Sequence, residues 1–328
     1  GRGARTARKK GSSCIPRDMT HPTLKEIYLA RSRIAGVARR TPLDRSQWLS
    51  ELAGCDVYLK LECWQPTRSF KIRGAYNAVA ALGEEARSRG VVAASAGNHG
   101  QGVALAARRL GVPAVIFVPR TAPETKQARI RSLGADLRVE GSIYDEAEAA
   151  AREYAAATGA FFVHAFSNPD VVAGQGTIGI EIVEDLPEVR EVIVPVGGGG
   201  LIVGVGTAVK ALAGPEVRVV GVQSEQTSSM YAAFVAGHVV EVSIGRTLAD
   251  GLAGGVDEVS YRRARAVTDE LVLVREESIA RAIRALYHDD GVLAEGAGAV
   301  GVAALLERRI ELSGPAVVVI TGGNIDPG

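Results

Sequence analysis

Residues 192–209 run for eighteen positions without a charged side chain, enough apolar length to cross a bilayer as one helix. Pro195 and the run Gly197, Gly198, Gly199, Gly200 rule that helix out, because proline lacks an amide and four successive glycines cost too much conformational entropy. What fits every residue is an apolar strand over 192–196, a glycine turn and a helix starting near Leu201. A strand with no polar face is buried on both sides, as in a parallel sheet layered with helices.

The same alternation runs along the chain. Apolar, β-rich segments at 91–94, 114–118, 160–164, 217–222 and 316–320 are separated by segments of helical spacing, among them 102–110, 144–158, 201–212 and 278–288. The fold class is therefore α/β with a mainly parallel sheet. At 328 residues the chain is two domains or one large α/β unit. No internal repeat or low-complexity linker marks a boundary.

With 47% hydrophobic and 23% charged residues, disordered, collagenous and coiled-coil chains are excluded. The 38 basic and 37 acidic side chains nearly cancel. No overall field is left to hold a polyanion, so the expected partner is a small molecule, with neither nucleic acid nor membrane. Six of those basic residues, Arg2, Arg5, Arg8, Lys9, Lys10 and Arg17, face only Asp18 within 1–18. That segment is expected to be a leader or an upstream remnant outside the fold. Cys14, Cys55 and Cys63 have no zinc spacing and form an odd count, which suits a reducing compartment, the cytoplasm by default.

Four glycine-rich turns and one lysine carry the chemistry. Gly296, Gly298 and Gly301 have dinucleotide-fingerprint spacing, but a plain strand stands where the ribose-binding acid would be, so close helix packing explains them better. Gly197 to Gly200 follow a buried strand and open a helix, which suits either a flexible turn or a cup for one phosphate. Ser95-Ala96-Gly97-Asn98-His99-Gly100 lies in the same setting. Its amides, with Ser95 and Asn98 as side-chain donors, suit a carboxylate, and a capped helix start explains the same residues. Thr321-Gly322-Gly323-Asn324 puts a hydroxyl at the carboxyl end of a strand, where crevices form. Lys71, between Phe70 and Ile72 at a helix start, is either solvated or desolvated; desolvation would lower its pKa and free the amine for a Schiff base.

Taken in order, these motifs resemble the fold type II pyridoxal-phosphate enzymes, in the threonine and serine dehydratase and serine racemase branch. The resemblance covers about 23–326. It rests on Ser69-Phe70-Lys71-Ile72-Arg73-Gly74-Ala75, the Ser95 turn, Ala173-Gly174-Gln175-Gly176-Thr177, the tetraglycine, Glu295-Gly296-Ala297-Gly298 and Thr321-Gly322-Gly323-Asn324. It implies two open, mainly parallel sheets covered by helices. A large cofactor domain of 19–81 and 168–328 would be interrupted by a smaller mobile domain, 82–167, that closes over substrate. It implies pyridoxal 5'-phosphate on Lys71, with Phe70 beside its ring, Asn98 on its phenolic oxygen, and Gly197, Gly198, Gly199, Gly200 and Leu201 around its phosphate. Glu295 belongs to the same cofactor site, and Thr321 would meet the pyridine nitrogen, leaving the ring neutral and favouring elimination over transamination. Ser95, Ala96, Gly97, Asn98 and His99 would hold the substrate carboxylate.

The implied activity is an ammonia-lyase converting L-threonine, L-serine or both to 2-oxobutanoate or pyruvate and ammonium, with Lys71 removing the α-proton. The family's usual assembly is a homodimer or homotetramer. Ala96 stands where serine racemases carry the serine that works on the opposite face, and a methyl group cannot move a proton. Gln223 and Ser229 stand where racemase-like members carry carboxylates for a divalent cation, so no required metal is expected. Arg68 is unusual where many relatives have a small or apolar residue. A chain that stops soon after Thr321 matches the short catabolic type without a regulatory domain. Serine racemase and a dehydratase of another 3-hydroxy amino acid are the nearest rivals. A cysteine-synthase type of β-replacement is disfavoured by Asn98-His99, where that branch has asparagine-threonine, and a non-catalytic binding module is disfavoured by Lys71.

Overall fold

The computed structural model describes residues 21–325, so the basic segment 1–18 and its reading lie outside the described residues. Strands β1 (Leu43–Arg45), β2 (Val57–Lys60), β3 (Val91–Ala94), β4 (Ala114–Val118), β5 (Asp136–Val139), β6 (Phe161–Phe162), β7 (Glu191–Pro195), β8 (Arg218–Ser224), β9 (Glu270–Val274) and β10 (Ala316–Val319) build two sheets. The larger has the order β1-β2-β10-β7-β8-β9 and the smaller β5-β4-β3-β6. β1 runs antiparallel to β2, and the remaining strand pairs are parallel.

Helices α1 (Leu24–Ile34), α2 (Gln47–Ala53), α3 (Lys71–Ala80), α4 (Glu84–Arg89), α5 (Asn98–Leu110), α6 (Glu124–Ser132) and α7 (Tyr144–Thr158) precede a central pair, α8 (Pro169–Asp185) and α9 (Gly200–Ala213). They are followed by α10 (Ser229–Ala236), α11 (Glu258–Val267), α12 (Glu276–Asp289) and α13 (Gly296–Leu306). One apolar core lies between the larger sheet and α12 and α13, a second between that sheet and α8 and α9. Two further cores cover the smaller sheet, with α3 and α5 in one and α7 in the other. Both sheets are thus layered with helices, which is why β3, β10 and, after its first residue Glu191, β7 read as apolar.

Local signals set the helix ends. Asn168 caps α8 by accepting the amides of Asp170 and Val171, and Pro169 occupies the first turn, where its missing amide costs nothing. α8 is buried continuously from Val171 to Ile182, whereas α12 buries only Ser278, Ile279, Ala282 and Leu286, a single stripe. α3 and α8 approach so closely that a Cβ on Gly174 would lie 2.6 Å from both the Arg73 carbonyl oxygen and the Gly74 Cα. The charge-free stretch 192–209 is β7 after Glu191, the turn and part of α9, and among the described residues no helix is long and apolar enough to cross a membrane.

The sequence pattern put a strand over 160–164, but β6 ends at Phe162 because the His164 side chain accepts the amides of Phe166 and Ser167 and folds the chain into a turn. The helix expected over 102–110 begins at Asn98, so Asn98, His99 and Gly100 of the glycine turn already belong to its first turn. β1, β2, β5 and β9 gave no clear signal. β5 is an edge strand with its charged Asp136 and Arg138 partly in solvent, and β2 ends in Lys60, a buried charge that breaks the apolar pattern.

Gly174→Ala should destabilise the protein by about 1–3 kcal/mol, the usual cost of overpacking. The gain in helix propensity, about 1 kcal/mol, is outweighed because the atoms it would meet are backbone. Urea unfolding followed by circular dichroism should show a lower midpoint with an unchanged slope; an equal or higher midpoint would contradict the close contact.

Candidate active site

Lys71 is the first residue of α3, and the segment before it is stitched to the C-terminal turn. The Phe70 amide donates to the Thr321 carbonyl at 3.0 Å, the Gly323 amide to the Arg68 carbonyl at 2.9 Å, and Ser69 bridges Gly322. Arg68 takes φ +56°, a left-handed conformation rare for a side chain with a Cβ. The Lys71 amine is partly buried, donates to the Ala165 carbonyl at 3.2 Å, and lies 5.1 Å from the centre of the Phe70 ring. Burial lowers its pKa to about 8, partly opposed by the Glu295 carboxylate.

At the carboxyl end of β3, the Ser95 hydroxyl accepts the Gly97 amide at 3.2 Å. The Asn98 amide group is held at both ends: Nδ2 donates to Glu295 Oε1 at 2.7 Å, and Oδ1 accepts from Asn324 Nδ2 at 2.7 Å. Asn324 also donates its backbone amide to Glu295 Oε2 at 3.2 Å, and Nδ2 to the Thr67 carbonyl at 2.8 Å. Burial pushes the Glu295 carboxyl up to about 7, against the opposing hydrogen bond from Asn98. His99 sets Nε2 against the Val163 carbonyl at 2.7 Å, and burial, with the Lys71 charge, lowers its pKa to about 3. The ring is therefore neutral with its proton on Nε2. Its Nδ1 can only accept, which leaves the backbone amide as the part of His99 suited to an anion.

Gly199, at φ +94°, turns the chain from β7 into α9. Side chains are excluded here. A Cβ on Gly198 would lie 2.4 Å from the Phe166 ring, and one on Gly200 would lie 2.8 Å from the Phe166 carbonyl oxygen. The turn therefore presents bare backbone amides at the N-terminus of a fourteen-residue helix, a cradle for an anion. Among the described residues, Ser69 Oγ and His99 Nδ1 are buried polar atoms without a protein partner. A desolvated amine, an anion cradle, and an amide group fixed by Glu295 and Asn324 match the aldehyde, phosphate and ring oxygen of pyridoxal phosphate, so the residues fit that group.

The family described as "Pyridoxal-phosphate dependent enzyme" matches residues 34–322. The chain belongs to that family. It is 53% identical to the L-threonine ammonia-lyase of Thermotoga maritima over 93% of this chain and 76% of that protein. Among solved structures, a threonine deaminase from T.th. is similar with a TM-score of 0.87 and 37% identity over 94% of this chain and 100% of that one. Maize serine racemase has a TM-score of 0.91 and 32% identity over 94% and 95%. The pyridoxal-phosphate enzyme fold is fold type II, as the ordered motifs implied.

Gly298 and Gly301 are packing glycines, with Cβ positions 2.8 Å from the Gly322 carbonyl oxygen and 2.7 Å from Val318. Gln223 holds the Tyr231 amide and donates to the Val196 carbonyl, and Ser229 donates to the Gly254 carbonyl. Among the described residues no cluster of three or more His, Cys, Asp or Glu has the arrangement of a metal site. Sequence reasoning missed Ala165, which acts through a carbonyl that every residue has, and Phe166, whose ring position depends on the fold. It also left Asn324 and the ion pairs around Arg73 without a role.

Gly200→Asp should weaken pyridoxal-phosphate binding by roughly tenfold or more, by putting a carboxylate into the anion cradle. Titration of the apo-protein followed by visible absorbance measures it, and unchanged affinity would remove the tetraglycine from the site.

Proposed function

We propose that this enzyme is an ammonia-lyase that eliminates water from L-threonine, L-serine or both, releasing 2-oxobutanoate or pyruvate and ammonium. The observation that carries the reading is the Lys71 amine, which bonds a carbonyl and pairs with no carboxylate among the described residues, beside a turn in which Ala96 offers only a methyl group. The names of the Thermotoga relative and the solved threonine deaminase support threonine as a substrate.

When bound, pyridoxal phosphate supplies an electron sink for the negative charge that develops on the substrate α-carbon. The chain supplies the rest. The amides of Gly197, Gly198, Gly199, Gly200 and Leu201 hold the phosphate, Phe70 packs beside the ring, and Thr321 stands at the pyridine nitrogen. Glu295 and Asn324 fix the amide group of Asn98 so that it faces the ring oxygen in one orientation. Ser95, Ala96, Gly97, Asn98 and His99 form the turn that binds the substrate carboxylate, chiefly through amides and the Ser95 hydroxyl.

With a pKa near 8, the Lys71 amine is free in part at neutral pH and mostly free above about pH 8, where an ordinary lysine would still be protonated, and in that form it takes the α-proton. Loss of the β-hydroxyl as water leaves an enamine. After release it tautomerises and takes up one water, giving the 2-oxo acid and ammonium. Segment 82–167, which carries the smaller sheet, serves as the unit that closes over substrate against a cofactor domain of 19–81 and 168–328. Free thiols at Cys55 and Cys63 support a reducing, cytoplasmic setting. Exposed Trp64, Tyr287 and Leu293 support a homodimer or homotetramer.

Maize serine racemase keeps one second reading in view, and one incubation separates the two. L-serine and L-threonine should yield 2-oxo acid with little D-amino acid, and Ala96→Ser should add a small racemisation activity. Wild-type enzyme that interconverted L- and D-serine as fast as it released pyruvate would contradict the lyase.

A further inference from the structure

Residues 163–167 join β6 to α8 and meet the site three times. The Val163 carbonyl holds His99 at 2.7 Å, the Ala165 carbonyl accepts from Lys71 at 3.2 Å, and the Phe166 ring packs on Gly198. The far end of this segment is pinned: the Ser167 hydroxyl donates to Asp257, and Arg263 donates to the Ser167 carbonyl at 2.8 Å. Beyond Val163 the near end has no sheet ladder. Its shape is set by the His164 ring, whose Nδ1 accepts the amides of Phe166 at 3.4 Å and Ser167 at 3.1 Å. The same ring meets Phe166 edge-on, with centroids 4.5 Å apart.

A ring nitrogen accepts hydrogen bonds only without a proton, so the turn requires His164 in its neutral form with hydrogen on Nε2. The charged groups around it are Glu148 and Arg152 on α7, Asp257 at the cap of α11, and Lys71 on α3. Burial lowers the His164 pKa, opposed by Glu148 and Asp257. At neutral pH the accepting form is therefore the one present.

We propose that His164 is a positioning residue for the cofactor: its unprotonated Nδ1 folds the 164–167 turn that sets the Ala165 carbonyl against Lys71 and the Phe166 ring against the tetraglycine. Protonation removes the acceptor for two amides at once, opens the turn, and weakens the hold on pyridoxal phosphate. Because the folded pKa lies below the ordinary imidazole value, the contribution is complete above that value and is lost as pH falls through the lowered one. This inference rests on Lys71 and the tetraglycine holding the cofactor.

The test is the pyridoxal-phosphate affinity of the apo-protein, read by visible absorbance and circular dichroism from about pH 5 to pH 8, the range in which imidazole titrates. Wild-type affinity should fall on the order of tenfold toward the acid end, the worth of about one hydrogen bond. His164→Asn keeps an acceptor at the same place and cannot titrate. It should bind as wild type at about pH 8 and lose the acid fall attributable to His164. His164→Leu should bind about tenfold more weakly even there. An undiminished acid fall in His164→Asn, or wild-type affinity in His164→Leu, would overturn the proposal, and the asparagine variant decides alone if the leucine variant does not fold. Lys71→Ala is the control: if it kept the wild-type spectrum, the site assignment itself would be wrong, whatever the His164 variants did.

Discussion

The guanidinium of Arg73 lies buried two residues beyond Lys71 and forks between two carboxylates. Nε and Nη2 reach Glu62, and Nη1 and Nη2 reach Glu181, at 2.6–2.9 Å. Lys60, also buried, pairs with Glu181 at 2.7 Å and donates to the Thr41 carbonyl, so the charges cancel in two pairs. Burial alone would push the Arg73 pKa down and that of Glu62 up; the ion pairs win, holding Arg73 above and Glu62 below their ordinary values. Such a cluster adds little net stability over an apolar core, but losing one partner strands a buried charge at a cost of about 3–5 kcal/mol. It therefore fixes where α3 sits against α8 and the end of β2, and the position of Lys71 follows.

Lys71 itself has the opposite character. Two residues away, every charge is paired, yet its amine has a carbonyl for a partner and one distant carboxylate. That asymmetry sets Lys71, with no carboxylate bonded to its amine, apart from the ion-paired cations Arg73 and Lys60. The groups facing it come from strand ends in both sheets: the turn after β3, the glycines after β7 and the turn after β10. They gather at the carboxyl ends of parallel strands, where loops diverge and leave a crevice. Glu295 links two of these turns through Asn98 and Asn324, so the candidate site draws on both sheets.

Much of this was legible in the sequence where a residue type leaves a pattern of its own. Val192 to Pro195 could only be a buried strand, and four glycines before a helix could only be a bare turn. The Lys71 motif named a chemistry once the other motifs stood in order around it. What stayed hidden depends on contacts between distant segments. The Ala165 carbonyl has no signature, and Phe166 looks like any core aromatic until Gly198 is placed beneath it. Lys60, Glu62, Arg73 and Glu181 look like surface charges until the fold buries them together. β5 was missed for a related reason, since an edge strand needs no apolar alternation.

The central claim is that the desolvated amine of Lys71 carries the cofactor. Borohydride reduction of the purified holoenzyme, followed by proteolysis and mass spectrometry, tests it directly by fixing the cofactor to whichever amine holds it. The predicted result is a single pyridoxyl-phosphate adduct on the peptide containing Ser69-Phe70-Lys71. An adduct on Lys60, Lys126 or Lys210 instead, with Lys71 unmodified, would contradict the account.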